Sequence, residues 1–497
     1  MPYKSKVLLF TFIALMYALT IRGSVGNTYP SFKLVQQSYP PFETSLERGR
    51  YAQVVALSET GDVKIDKFYM FLKPDIAWYN GHFYSTFPPG LAFVAVPFYL
   101  LGRFLNLSQV FTFLTTTAFS ILTAWLVYKC ALKLNLNEQA AVFTTILFSL
   151  ATVVWAYSVT LSAHTLSAFL LILCFYEYLQ IGFKKDNFLP FLILGVAYSL
   201  NLFVDYPNLV IFLPIVIMAF IKSLVSPTDT ELEVKIPYDS LVFFLTFFIV
   251  FMLFGIFNQT HYGRFIAFSN TFSLKTLEQS GILKNYNQLT NTLFSNVHYA
   301  NRFSITQTIY GIYVLLFSHD RGLFYFFPVT LLAILGSVIL FRKQRYTLIT
   351  IALTFLANVF VYGSYDDPWG GWSFGPRYLI VSLPLIALLC GIAFNYALRN
   401  RFYTFGAMLL LFWSQAVALI GALTTNAVPP SVEAATTHMK DNFLYNLHYL
   451  EKAGTSSFAF KTLFHFVMTP SIYALLLLLA VTVFSAYLII FNQDYKV

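Results

Sequence analysis

About twelve stretches of this sequence run for roughly 20 residues with almost no charge, the length a helix needs to cross a ~30 Å hydrocarbon layer. They fall near Val7 to Ile21, Val110 to Tyr128, Ala140 to Tyr157, Thr165 to Ile181, Phe188 to Val204, Pro207 to Phe220, Leu241 to Phe257, Phe324 to Phe341, Thr347 to Tyr362, Tyr378 to Leu398, Phe405 to Ala422 and Ser471 to Phe491. In lipid every backbone polar group must find a partner within the protein, so spanning segments are helices or closed barrels, and unbroken apolar runs select helices. Of the 497 residues only 11% are charged, about half the share in a soluble domain. Disorder, a coiled coil, a disulfide scaffold and a water-soluble enzyme are excluded. The expected fold is an all-α polytopic membrane protein of about twelve spans.

The formal net charge of +9 forms no dense Lys/Arg stripe, which argues against nucleic acid and for topology. Lys and Arg in short loops stay cytoplasmic. Lys4, Lys6, Lys129, Lys133, Lys184, Lys185, Lys222, Lys235, Arg342, Lys343, Arg345, Arg399, Arg401 and Lys496 fall on one side if the spans alternate, with both termini cytoplasmic. The run Gly90 to Leu101 contains Pro97 and is too short to span; it reads as an interfacial helix on the outer leaflet. The first window reads as a retained anchor, a signal peptide being the alternative. Cys130, Cys174 and Cys390 lie in or beside spans with no C-x-x-C pair and read as packing residues.

This topology makes one domain of residues 1–497 with long outer segments at 22–109, 258–321 and 423–469. Ionisable residues gather in these segments and at outer span ends: Glu47, Arg50, His164, Asp205, Arg264, Arg321, Asp366, Asp367 and Arg377 among them. An ion-coupled transporter places charges near the bilayer midplane, whereas charges at the outer interface suit an enzyme whose substrate keeps its tail in lipid. In the first outer segment, Leu46 to Leu57 reads as an amphipathic interfacial helix closed by Gly61, with Tyr51, Val54, Val55 and Ser58 on one face and Glu47 one turn before Tyr51. A turn at Asn80-Gly81 leads to His82-Phe83-Tyr84 and then Phe87-Pro88-Pro89-Gly90-Leu91, whose prolines break one element and start the next.

That order of elements resembles the GT-C membrane glycosyltransferases, in the bacterial branch related to protein O-mannosyltransferases and lipid A aminoarabinose transferases. The branch has an acid before Arg-Tyr-Ala, matched by Glu47 before Arg50-Tyr51-Ala52, and a Lys-Pro-Pro-Leu, matched by Phe87 to Leu91. Ser318 to Phe324 (Ser-His-Asp-Arg-Gly-Leu-Phe) and Trp369 to Tyr378 (Trp-Gly-Gly-Trp-Ser-Phe-Gly-Pro-Arg-Tyr) are also similar to segments of the branch. Two positions depart from it. The acid is Glu rather than the usual Asp, and Phe87 stands where the family has Lys, so another cation must meet the donor phosphate.

The resemblance implies transfer of a hexose or pentose from a polyprenyl-phosphate carrier to an extracytoplasmic hydroxyl of a lipid, glycan or protein, with inversion. Glu47 is the candidate general base; the alternative is a solvated Glu favoured by the helix dipole. Arg377, with Arg50, Arg321 and Arg264, is the candidate set for the leaving phosphate, against the alternative of residues snorkelling to lipid headgroups. Asp366, Asp367, Trp369, Trp372, His164, Asp205 and Tyr84 are candidates for sugar or acceptor binding, against interfacial aromatics and helix-end polar groups. No compact metal motif is present, and since some GT-C enzymes use a divalent cation, that question stays open. The expected location is a bacterial inner or plasma membrane, with the site on the outer face. A transporter or flippase of lipid-linked sugars, and a scaffolding subunit, are the rival classes.

Overall fold

A computed structural model describes residues 3–37, 41–72, 75–183, 186–227, 232–234, 238–269 and 304–491. Lys184, Lys185, Lys235, Lys496 and the middle of the second outer segment lie outside the described residues. Among the described residues, five helices are long and apolar enough to cross a membrane: Ser108–Lys133, Tyr238–Tyr262, Arg345–Gly363, Arg401–Leu423 and Pro470–Ile490. Shorter apolar helices occupy Lys6–Thr20, Gly90–Phe104, Glu138–Leu150, Phe188–Val204, Asn208–Leu224, Ile305–Leu316 and Leu383–Ala397. The chain is an all-α polytopic integral membrane protein, with small hairpins at Ile76–Tyr79 with His82–Ser85 and at Val225–Pro227 with Leu232–Val234.

The helices are apolar on their outsides. Phe248, Ile249, Leu253 and Ile256 are exposed on one, Leu475, Leu476, Leu479 and Val483 on another, while Thr112, Thr115, Thr116, Ser120 and Thr123 of Ser108–Lys133 are buried. Several buried hydroxyls bond to carbonyls of their own helix, as from Thr112 to Ser108 and from Thr123 to Phe119, which pairs those donors in an apolar interior; Thr115 Oγ1 is buried without a partner. Glycine lets helices touch: a Cβ on Gly336 would stand 1.9 Å from the Leu389 carbonyl oxygen. Small residues at such crossings are what packing in lipid demands.

Three expected spans are broken for local reasons. The helix over Ala140 stops at Leu150, where the Thr152 hydroxyl donates to the Phe148 carbonyl and accepts from the Val154 N–H, side-chain bonds that compete with the helix ladder. Pro328 splits Phe324 to Phe341 into Leu323–Phe326, a 3-10 turn at Pro328–Leu331, and Leu332–Lys343, since proline has no N–H to donate. The span from Tyr378 starts as helix only at Leu383, with Pro384 in its first turn. An apolar helix, Thr308–Leu316, also stands in what the sequence reading takes as outer loop.

The Ser45–Thr60 helix begins with the Thr44 hydroxyl accepting from the Glu47 N–H and ends at Gly61, whose φ of 68° only glycine adopts readily. It is enclosed by the protein around it. All residues from Glu47 to Ala56 are buried, because the Gly90–Phe104 helix and an aromatic cluster of Phe42, Phe71 and Phe113 close over it. The Gly90–Phe104 helix keeps Phe93, Leu100, Leu101 and Phe104 exposed on its far side.

Candidate active site

Burial of that helix brings Glu47 into a polar cavity of about 470 Å³. Arg22, Glu43, Thr160, Ser456 and Lys461 line it, as does the chain from Gly23 to Tyr29. The Thr160 hydroxyl donates to Glu47 Oε1 at 2.7 Å, and the Glu43 N–H donates to Oε2 at 2.9 Å. Neither donor is charged. Burial, and then the nearby Glu43 carboxylate, push the Glu47 carboxyl up to about 7, against the pull of Arg22 and the two hydrogen bonds.

One turn along the same helix, Arg50 faces a second cluster. Its guanidinium lies 4.4 Å from the centre of the Phe87 ring, and its Nη1 donates to the Leu46 carbonyl at 3.2 Å. Gly49 is what permits this, since a Cβ there would stand 2.8 Å from the Phe87 ring. Arg50 shares its field with Arg377 and Asp205. Burial chiefly, with Arg377 adding to it and Asp205 opposing, brings the Arg50 guanidinium down to about 10. Arg377 donates through Nη2 to the Tyr378 hydroxyl at 3.4 Å. Its Nε, like that of Arg50, is buried without a hydrogen-bond partner.

Asp205 and His164 belong to this second cluster. The Tyr362 hydroxyl donates to Asp205 Oδ2 at 3.3 Å, and His164 Nδ1 stands 3.9 Å from the same oxygen with no hydrogen bond of its own. Tyr362 stacks on Tyr378 at 4.2 Å. Burial lifts the Asp205 carboxyl to about 6 despite Arg50, Tyr362 and Arg377. Besides Asp205, the Asp75 carboxylate lies in the field of Arg50 and the Asp367 carboxylate in that of Arg377. Arg377 does not line the Glu47 cavity. The group in the field of both is Tyr157, whose hydroxyl accepts from the Phe374 N–H at 3.2 Å.

The remaining candidates have other positions. Arg321 is fully buried, and its nitrogens donate to the carbonyls of Asp320, Trp369, Gly371, Val428 and Asp441. Its donors are spent on backbone, so it clamps the outer loops together rather than offering a fork to phosphate. Arg264 is exposed, 5.3 Å from the Tyr79 ring, and Tyr84 packs on Tyr262 and donates to the His261 carbonyl; both sit by the hairpin. Asp367 accepts from the Gly371 N–H at 2.9 Å and shapes the turn at Gly370 and Gly371. Asp366 is half-buried beside it. The Trp369 carbonyl accepts from Arg321, and the Trp372 indole N–H donates to Glu433. Among the described residues no three of His, Cys, Asp and Glu gather as a metal site.

Sequence reasoning missed Arg22, Glu43, Thr160, Tyr157 and Lys461. Glu43 had a signal: a second carboxylate four residues before Glu47, a helix-turn spacing at a helix start. Arg22 reads from sequence as a boundary charge, and Lys461 as an ordinary loop lysine.

No protein-family model and no curated protein matches the chain. Among solved structures, the Archaeoglobus fulgidus oligosaccharyltransferase, solved with Zn and sulfate, is similar at 13% identity and a TM-score of 0.50, over 89% of this chain and 57% of that one. ArnT from Cupriavidus metallidurans, solved with undecaprenyl phosphate, is similar at 14% identity and a TM-score of 0.45, over 98% of this chain and 78% of that one. The chain shares the fold of the oligosaccharyltransferase. The chain spans little more than half the length of the oligosaccharyltransferase it matches.

Proposed function

We propose that this protein moves a sugar from a polyprenyl-phosphate carrier to a hydroxyl of an extracytoplasmic lipid, glycan or protein, with Glu47 as general base. The observation that carries the reading is the pairing of two sites through one helix. Glu47 faces a cavity, and Arg50, on the same helix, faces a buried cluster in which the Nε–H groups of Arg50 and Arg377 lack partners. An acceptor hydroxyl is a weak nucleophile. As its oxygen attacks C1 of the sugar, Glu47 takes its proton, the C1–O bond to phosphate breaks, and the configuration at C1 inverts. The charge that develops on the departing polyprenyl phosphate meets Arg50 and Arg377, fixed donors in a site with little water to screen them.

Arg50 supplies the cation that the Phe87 position lacks, and His164 and Asp205 border the same space. The transfer takes place at the outer face of a bacterial inner or plasma membrane, with both termini in the cytoplasm. The test is Glu47→Gln in membranes supplied with a radiolabelled polyprenyl-phosphate sugar. Transfer is expected to fall by about 10² to 10⁴, while binding of a short-chain polyprenyl phosphate is retained. Transfer at the wild-type rate would remove Glu47 from the role of base.

A further inference from the structure

We propose that the ion pair between Arg22 and Glu43 is a positioning element that orients the Glu47 carboxylate and governs whether it carries charge at neutral pH. This rests on the reading of Glu47 as the base. Glu43 is anchored from three directions. Its Oε2 accepts from Arg22 Nη1 at 2.8 Å, from the Asn426 N–H at 2.7 Å and from the Thr425 hydroxyl at 2.9 Å, and its Oε1 accepts from the Ser456 hydroxyl at 3.3 Å. These four donors hold the carboxylate in one place. Its own backbone N–H then donates to Glu47 Oε2 at 2.9 Å, so the anchored residue also points the base.

Arg22 is tied down as firmly. Nη2 donates to the Gly421 carbonyl at 2.6 Å and to Asn426 Oδ1 at 3.1 Å, and Nε donates to the Ala422 carbonyl at 3.4 Å. The pair therefore links the end of the first helix, the start of the Glu47 helix and the outer end of Arg401–Leu423. Glu43, Arg22 and Lys461 line the cavity with Glu47. Arg48 neighbours Glu47 on its own helix, and Tyr157 lies within its field from the Val154–Ser158 turn. Arg22 forms its ion pair with Glu43, so Glu47 has a like charge close by and shares Arg22 with it.

The two members of the pair act on Glu47 with opposite sign, and this separates positioning from mere structural support. Glu43→Gln removes the like charge and frees Arg22, so the acid limb of the transfer-rate profile moves down by about one pH unit or more. Arg22→Gln leaves two carboxylates without their cation, and the limb moves up by a similar amount. Arg22→Lys keeps the charge and is expected to hold the limb near its wild-type place. A purely structural role would lower kcat at all pH values without moving the limb.

The charge on Glu47 is followed independently by infrared titration of its protonated-carboxyl band, identified by its loss in Glu47→Gln. Opposite band shifts in the two variants, without matching shifts in rate, would leave the positioning role standing and remove the base assignment. A band that stays put in both folded variants would overturn the positioning role. If Glu43→Gln or Arg22→Gln does not fold, Glu43→Asp carries the same readout: it retracts the like charge and is expected to shift the band down, and a band unmoved there overturns the proposal.

Discussion

The guanidinium of Arg50 lies 4.4 Å from the centre of the Phe87 ring, so the residue just before Pro88 and Pro89 presents an aromatic face with a cation against it. A buried cation–π contact contributes about 2 kcal/mol. Phe87→Leu, which keeps most of the volume and removes the ring face, is expected to weaken binding of a short-chain polyprenyl phosphate by about ten-fold. Equilibrium binding to the purified protein measures this. Unchanged affinity would separate Arg50 from phosphate recognition.

How much of this was legible in the sequence depended on how far apart the interacting residues stand. The helix around Glu47 announced itself through the apolar spacing of Tyr51, Val54 and Val55 and through Gly61, all within one short stretch of chain. Its surroundings did not. That the helix is enclosed depends on Phe42, Phe71 and Phe113 meeting over it. The pairing of Arg22 with Glu43 also needs Asn426, about four hundred residues away in the chain. Arg321 shows the same limit from the other side. Its place beside Trp369 and Val428 turns an apparent phosphate ligand into a brace for loops, and local pattern carries no trace of that.

Glu47 gives activity and stability opposite dependences on pH. As a base it must be ionised, so transfer is expected to rise as pH rises through about 7. Its carboxyl is raised from an ordinary 4.5, so the fold binds this proton more tightly than the unfolded chain does. The associated stability is fully present below 4.5 and lost as pH rises through about 7. Asp205, raised to about 6, acts in the same direction. Thermal unfolding of the detergent-solubilised protein should show Tm falling across this window, with a shallower slope in Glu47→Gln. A slope equal to that of the wild type would mean that Glu47 does not hold its proton in the fold.

Gly370 and Gly371 offer a matched pair for testing Arg377. Both have left-handed backbones, with φ of 73° and 60°, so alanine at either costs about 1–2 kcal/mol. Only at Gly370 does the added Cβ meet the arginine, 2.6 Å from Arg377 Nε; at Gly371 the nearest atom is Asp367 Oδ2 at 3.6 Å. The two variants are expected to lose similar thermal stability, while only Gly370→Ala loses affinity for polyprenyl phosphate. Equal losses of affinity would detach Arg377 from the phosphate site.

Arg321 is expected to behave in the opposite manner. Its side chain donates to five carbonyls from three stretches of chain, and each buried acceptor left unpaired costs about 1–3 kcal/mol. Lysine cannot reach these carbonyls, because one ammonium group replaces a planar fork. Arg321→Lys should therefore lower Tm and the yield of folded protein. In the fraction that does fold, affinity for polyprenyl phosphate should match the wild type, since no donor of Arg321 faces the Arg50–Arg377 cluster unspent. A variant with unchanged Tm and weakened phosphate binding would reverse this assignment and return Arg321 to the donor site, because the carbonyl bonds would then have been shown to contribute little to holding the loops.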